Sequence, residues 1–317
     1  MHKFMRWINQ NRIEFFIIIA IIAFIFIIIQ TLNGILEKQN EQKKNEISFR
    51  NSSTDESTTI SKANESIITR EKIPTGLSNI YENIIKQFVE YCNKSEVQSA
   101  YDMLSNECKN TIYPTVEDFY SSYYERIFDI NRMYTIQNWY KESTSCTYYI
   151  RYTEDVLATG NLNSQDNKSD YITIVQTDNG YKLNIDGYIG RTGYGQAVGK
   201  ENVYITVNYV DIYMDFCILN ITVKNNTENT ICIDTKENPE TLFVYDENNV
   251  KYSSFLNEIT KDNLIIKKEN SKILNVKFNM LYNPSRAVRG VAMQDVVLNY
   301  DNYVQNIEKK QKISINT

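Results

Sequence analysis

The chain has 317 residues, with 34 basic and 39 acidic side chains and a net charge of −5. This balance gives no general attraction to nucleic acid. The single histidine, His2, precedes the first apolar segment, which excludes Ser-His-Asp or Cys-His catalysis and histidine-based zinc sites within one chain. The length predicts roughly two domains.

An uninterrupted apolar run, FFIIIAIIAFIFIII at residues 15–29, predicts a membrane anchor. A bilayer core requires about 20 mostly apolar residues, and the flanks extend the run to residues 13–35. No signal-peptide cleavage pattern follows it. A buried core helix is disfavoured because the segment is apolar all round. Basic residues are concentrated before the span, so residues 1–12 are predicted to be a cytoplasmic tail and the remainder extracytoplasmic.

Residues 36–72 are polar, nearly free of aromatic residues, and have no sustained period. Such a sequence cannot bury enough apolar surface to offset its ordering entropy. It is predicted to be a flexible linker.

Helical spacing of apolar residues begins after Pro74 and predicts three helices. Ser95 is the expected N-cap of the second helix, and Thr115 with Asp118 forms the capping-box pattern of the third. The predicted buried faces are Leu77, Ile80, Tyr81, Ile84, Ile85, Phe88, Tyr91 and Cys92; then Val97, Ala100, Tyr101, Leu104 and Cys108; then Val116, Phe119, Tyr120, Tyr123 and Ile127.

After Asn131 the period changes to two, which predicts strands. Cys146, Tyr148, Ile150 and Tyr152 share one face of such a strand. Residues 171–175 and 181–185 are predicted to form a hairpin around the turn Asp178-Asn179-Gly180. Helices followed by an antiparallel meander indicate the α+β class.

These features resemble the nuclear transport factor 2-like fold over about residues 75–189, within a domain assigned to residues 73–189. The resemblance rests on a long helix, a helix carrying AYDMLSNECK, a third helix carrying EDF, and a closing GYKLNI hairpin. It implies three helices on a strongly curved antiparallel sheet that encloses a pocket. The family contains enzymes and also domains that only bind or assemble, so the fold does not decide the function.

Residues 190–200 are rich in glycine and are predicted to be a linker. A phosphate-binding loop is the alternative, but only three residues separate Gly195 from Gly199. In addition, Glu201 stands where such a loop needs Ser or Thr.

Residues 201–304 contain short alternating segments separated by polar turns, which predict an all-β sandwich. The pattern resembles the immunoglobulin-like accessory domains of exported bacterial proteins, which implies a role in protein contacts. Residues 305–317 are predicted to be a polar tail.

Four cysteines lie on the apolar face of a predicted helix or strand: Cys92, Cys108, Cys146 and Cys217. Cys232 lies out of phase with its apolar neighbours. They are predicted to be small buried apolar residues. A disulfide and a reactive Cys108 remain open alternatives. No C-x-x-C spacing indicates a metal or redox site.

Carboxylates and aromatic residues are the remaining candidates for a site. Asp102 and Glu107 lie off the apolar stripe and are expected in solvent, while Glu117 and Asp118 suit a helix start. No catalytic, cofactor-binding or metal-binding residue is assigned. Aromatic side chains could line a ligand pocket or a contact surface, although core filling is the favoured alternative. The aromatic candidates are Tyr101, Tyr120, Tyr123, Tyr124, Tyr134, Trp139 and Tyr148.

The layout of tail, span and exported domains resembles the scaffold subunits of VirB-type conjugation and type IV secretion machines. It favours a non-catalytic, single-pass scaffold of a bacterial cell-envelope machine, with envelope or secretion proteins as partners and no cofactor. Homo-oligomerisation remains open. The alternative is an extracytoplasmic small-ligand-binding module with its pocket in the cone-like domain. An isomerase or hydrolase of the same fold is the third hypothesis.

Overall fold

The computed structural model describes residues 65–155, 167–195, 197–233, 242–255, 259–294 and 296–305. They belong to one compact unit, Ser61–Thr317. The predicted α+β class is confirmed: the described chain is mixed, with mostly antiparallel sheets and few helices. Within these ranges no helix combines the length and apolarity that crossing a bilayer requires. The predicted tail and membrane span, residues 1–35, lie outside them.

The described chain begins at residue 65, before the predicted linker ends. Ser66 is buried, and its hydroxyl donates to the Trp139 carbonyl at 2.6 Å. The amide of Ile67 donates to the Asn138 carbonyl at 3.0 Å. The end of the predicted linker 36–72 is therefore bound to the first sheet, because it satisfies backbone carbonyls at the edge of that sheet.

The first predicted helix is confirmed as α1, Thr75–Asn93, and it buries one apolar face. The second is wrong as a single helix, because it divides into α2, Val97–Asp102, and α3, Asn106–Thr111. Between them the Leu183 amide donates to the Met103 carbonyl at 3.0 Å. This pairing with a strand uses backbone groups that a continuous helix would need.

Because the second predicted helix divides into α2 and α3, its N-caps also differ from the prediction. Ser105, not predicted as a cap, accepts from the Cys108 amide and starts α3. The predicted cap Ser95 lies one residue before the observed N-cap Glu96 and has a φ of 59°. The Thr115–Asp118 capping box is confirmed at the start of α4, Val116–Phe119.

A π-helical turn, Tyr120–Tyr124, follows α4 and precedes α5, Glu125–Ile127. A π turn needs more residues than an α turn, so it rotates the phase of the side chains that follow. Tyr124, which lies off the predicted buried stripe, is buried, and Tyr120, which lies on it, is 43 % exposed. The predicted stripe is wrong at these two positions.

The first sheet is antiparallel with strand order β1-β2-β3-β4. The strands are β1, Arg132–Lys141; β2, Ser145–Glu154; β3, Lys168–Thr177; and β4, Gly180–Asn184. The predicted hairpin turn is confirmed, and Gly180 has a φ of +94° there. The face of β2 predicted to be buried is buried, and it packs in one core with α1, α4 and α5.

The predicted linker 190–200 is corrected to strands. β5, Tyr188–Gly193, and β6, Ala197–Lys200, both pair antiparallel with β7, Val203–Tyr213. A Cβ at Gly199 would lie 2.2 Å from the Tyr204 ring. Here glycine allows close packing rather than flexibility.

The rest of the described chain is mainly β. Its elements are β8, Cys217–Asn225; β9, Ile231–Cys232; β10, Leu242–Asp246; β11, Lys251–Ser253; α6, Lys261–Leu264; β12, Ile265–Ile266; β13, Ser271–Phe278; β14, Val288–Met293; and α7, Tyr300–Val304. The sheets have the orders β13-β8-β7-β5, β11-β10-β14 and β12-β9, and their strands other than β5 contribute to one aliphatic core. Near the end of the predicted sandwich, Val297 and Cys232 form an isolated bridge outside the named strands.

All five cysteines are free and buried, including Cys232, which lies out of phase with its apolar neighbours. Burial raises the pKa of the Cys108 thiol to about 12. A thiol in that state is a poor nucleophile at neutral pH.

Candidate functional site

The seven aromatic candidates do not form one pocket. Helices α1 to α5 and the sheet β1-β2-β3-β4 share a core that we call the first core. Tyr123, Tyr134 and Tyr148 are buried in it, and Tyr101 packs at its edge against Phe119. Trp139 instead contacts Tyr149 and Tyr171, with ring centroids 5.7 Å away in each case. Tyr120 and Tyr124 lie together on the helical side, with stacked rings 5.3 Å apart.

A buried carboxylate, Asp170, forms the polar centre of the first core. The Tyr123 hydroxyl donates to its Oδ2 at 2.8 Å. The amides of Asp186 and Gly187 donate to its two oxygens, both at 3.1 Å. The carboxylate thus connects the π turn to the chain between β4 and β5. We call Asp170 and these partners the Asp170 network.

Burial, and then the charge of Asp186, raise the pKa of the Asp170 carboxyl to about 6. The hydrogen bond from Tyr123 opposes this shift because it favours the charged form. Burial and the Asp170 charge raise the pKa of the Tyr123 hydroxyl well above its ordinary value.

Asp186 continues the network toward the surface. It accepts from the Tyr113 hydroxyl at 3.0 Å and from the Arg126 guanidinium at 2.6 Å. Burial lowers the pKa of Arg126, but the charge and hydrogen bond of Asp186, together with Tyr123 and Asp170, outweigh burial and the net shift is upward. At Asp170, burial thus favours the protonated carboxyl, while the hydrogen bonds that it accepts favour the charged form.

Substrate access to this carboxylate is closed. Asp170 is 7 % exposed, and the rings of Tyr123 and Tyr152 are completely buried. An acid that acts on a substrate must come within hydrogen-bond reach of it, which this packing prevents unless the interior opens.

A second polar cluster joins helix α3 to strands β5 and β7. Arg191 donates to both oxygens of Asp211, at 2.6 and 2.9 Å, and its own amide donates to Glu107 at 2.9 Å. The Tyr188 hydroxyl lies 3.1 Å from Glu107 and 3.3 Å from Asp211. The hydrogen bond to Asp211 raises the pKa of Arg191. We call this cluster the Arg191 clasp.

Glu107 is exposed, as expected, and it also accepts hydrogen bonds from Tyr188 and Arg191 of β5. Asp102 is exposed, as expected.

Two cavities border these elements. One, of about 400 Å³, lies between the end of α1 and the segment that contains the π turn and α5, and includes Tyr120 and Tyr124. The other, of about 410 Å³, lies beside β5 and is lined partly by Arg191 and Arg286. Neither is lined by Asp170.

The sequence analysis missed Asp170, Asp186 and Arg191. A signal existed for Asp170, which shares the strand phase of Ile172 and Ile174 and so falls on the buried face. No local signal pairs Arg191 with Asp211, because the two belong to different strands that meet only in the folded sheet.

Across the described ranges, no group of three or more His, Cys, Asp or Glu side chains is placed to hold a metal ion. Comparison with known protein families, curated proteins and solved structures finds no match to this chain.

Proposed function

We propose that this protein is a non-catalytic, membrane-anchored scaffold of a bacterial cell-envelope machine, with conjugative transfer as the most concrete case. In this proposal residues 13–35 span the membrane, with the N-terminus cytoplasmic. A nuclear transport factor 2-like domain and an immunoglobulin-like sandwich then lie outside the cytoplasm and bind other envelope proteins.

The observation that carries the proposal is the packed interior of the first region, by which we mean helices α1 to α5 and the sheet β1-β2-β3-β4. The polar groups that could do chemistry there bond to one another, with Tyr123 donating to Asp170 and Tyr113 to Asp186. Asp170 also holds two backbone amides in place. Such bonds are what a buried carboxylate needs in order to be tolerated in a core, so a structural role accounts for them.

The proposed domain types have partial support. Helices followed by the antiparallel order β1-β2-β3-β4 are compatible with the first type. An aliphatic core to which several antiparallel sheets contribute is compatible with the second. The Arg191 clasp would join the two domains, which suits a protein that positions partners.

The test is capture of partners from the membrane. Cells that carry the tagged full-length chain are crosslinked, the membranes are solubilised, and the purified material is identified by mass spectrometry. A tagged single-span protein of unrelated sequence at matched abundance is the control. We expect envelope or transfer-machine proteins to be enriched over that control. Recovery of the chain alone, or only from the soluble fraction, would contradict the proposal.

A small-ligand-binding role is the second candidate, and the cavity of about 410 Å³ beside β5 favours it. Its size lies within the range of small-molecule sites. The purified full-length chain is screened for a ligand-induced rise in melting temperature, with Arg286→Ala as the matched variant. A rise that Arg286→Ala removes would support this role, and no rise across a broad library would count against it.

A further inference from the structure

The cavity of about 400 Å³ at the end of α1 opens on the helical side of the first region. Three aromatic rings form a stack beside it. Tyr120 and Tyr124 are 5.3 Å apart at an interplanar angle of 18°, and Tyr124 and Phe128 are 6.1 Å apart at 22°. We call this site the Tyr120 pocket.

The stack is held in place at its centre. The Tyr124 hydroxyl bonds to the Cys92 carbonyl and to the Ser95 hydroxyl, both at 3.1 Å. Tyr120 packs on this fixed ring and is 43 % exposed. An aromatic ring whose position is set by its neighbours can bind a cation or an alkyl chain with little loss of entropy.

The electrostatic character of the pocket is negative. Its charged lining residues are Glu125 and Asp129. Asp129 pairs with Arg132 at 2.5 Å, whereas no ion pair of Glu125 occurs within the described part of the chain. The pocket also includes the last turn of α1, a 19-residue helix whose C-terminal end carries partial negative charge.

We infer that the Tyr120 pocket binds the side chain of a lysine on a partner protein. The alkyl stem would lie along the aromatic rings and the ammonium group would reach Glu125. A primary ammonium is favoured because Ser95 and Asn131 also line the pocket, and their oxygens can accept the hydrogen bonds that it donates. The identity of the partner as a protein rests on the proposed function.

The test measures binding of blocked lysine, N-acetyl-lysine methylamide, to the full-length chain in detergent by saturation-transfer NMR. The comparison probes are its norleucine, ε-acetyl-lysine and trimethyl-lysine counterparts. Tyr120→Ala and Glu125→Gln test the site. Tyr204→Ala, at another exposed tyrosine, is the matched control, and melting temperatures verify that each variant folds.

We expect lysine to bind at least about fivefold more tightly than the neutral probes, from cation–π and charge contributions. Tyr120→Ala and Glu125→Gln should each weaken lysine binding about three- to tenfold, and Tyr204→Ala should not. Equal binding of norleucine, tighter binding of trimethyl-lysine, or insensitivity to both pocket variants would overturn the inference. If Tyr120→Ala captures the same membrane partners as the wild-type chain, the inference fails while the scaffold proposal stands.

Discussion

The first region, α1 to β4, and the second region, which contains the strands that follow, have cores of different side-chain composition. The first core is rich in aromatic rings, and its buried members include Tyr81, Phe88, Tyr113, Phe119, Tyr123, Tyr124, Phe128, Tyr134, Tyr148, Tyr152 and Tyr188. The second is built mainly from Val, Ile and Leu with some Cys and Met, and the one aromatic ring buried in that cluster is Phe278.

This difference bears on the polar groups of the first core. A buried tyrosine hydroxyl needs a hydrogen-bond partner, whereas a buried Val, Ile or Leu side chain does not. In the first core Asp170 provides such a partner, because it accepts from Tyr123. The buried carboxyl gives this core a pH dependence.

The largest effect is expected from removal of a ring in the first core. Phe119 is completely buried and lies between Tyr113 and Tyr123, with centroids 5.8 and 5.7 Å away. Phe119→Ala should lower the free energy of unfolding by about 3–5 kcal/mol through the cavity that it leaves. Ile273→Ala, at a side chain that is 67 % exposed, should change it by less than about 0.5 kcal/mol. Urea denaturation of the full-length chain measures both, and equal losses would refute the packing described.

The next effect is the pH dependence that Asp170 confers. Its folded pKa of about 6 exceeds the ordinary value of 3.8, so the folded state binds the proton more tightly. The resulting stabilisation is present below pH 4 and is lost as the pH rises through 6, by about 3 kcal/mol at most. Asp170→Asn should flatten this part of the curve of unfolding free energy against pH. An unchanged curve in that variant would show that other groups cause it.

Loss of one hydroxyl should be smaller and should depend on pH. Tyr123→Phe removes the hydrogen bond to Asp170 and should cost about 1.5–3 kcal/mol at pH 7.5, where the acceptor is charged. The cost should be smaller at pH 5, where Asp170 is mostly protonated. Tyr204→Phe, at a tyrosine that is 39 % exposed, should be nearly neutral. Thermal melts at the two pH values measure this, and a cost independent of pH would argue against a charged acceptor.

The smallest effect concerns the connection between the two regions. Arg191→Lys removes the two-point contact with Asp211 and should cost about 1 kcal/mol, because lysine cannot reproduce that geometry. A double-mutant cycle with Asp211→Asn measures the coupling between the two side chains. A coupling near zero would mean that the Arg191 clasp does not stabilise the protein.

Features that depend on residues close together in the chain could be predicted from the sequence. The face of α1, the capping box at Thr115 and the alternation in β2 depend on neighbours along the chain. The capping box and the buried face of β2 are confirmed, and the face of α1 is confirmed except at Ile80, which is 46 % exposed. The break between α2 and α3 could not, because it arises where the chain pairs with Leu183 in β4.

The candidate site was harder to predict than the fold. The insertion of a π turn exchanged the positions of Tyr120 and Tyr124, and a strict helical period cannot reveal such an insertion. The glycines at residues 190–200 suggested a linker, but the segment forms two strands, in which Gly199 packs against the Tyr204 ring. Partners such as Arg191 and Asp211 meet only through strand pairing.

Site-specific photo-crosslinking in living cells tests the central claim most directly. A photoreactive residue is placed in turn at five exposed apolar positions of the full-length chain, which are Ile80, Tyr120, Tyr204, Ile273 and Leu281. A scaffold predicts at least one discrete adduct with an envelope protein in the membrane fraction, with the strongest expected at Tyr120. The absence of a discrete adduct at all five positions, with the chain present in that fraction, would contradict the account.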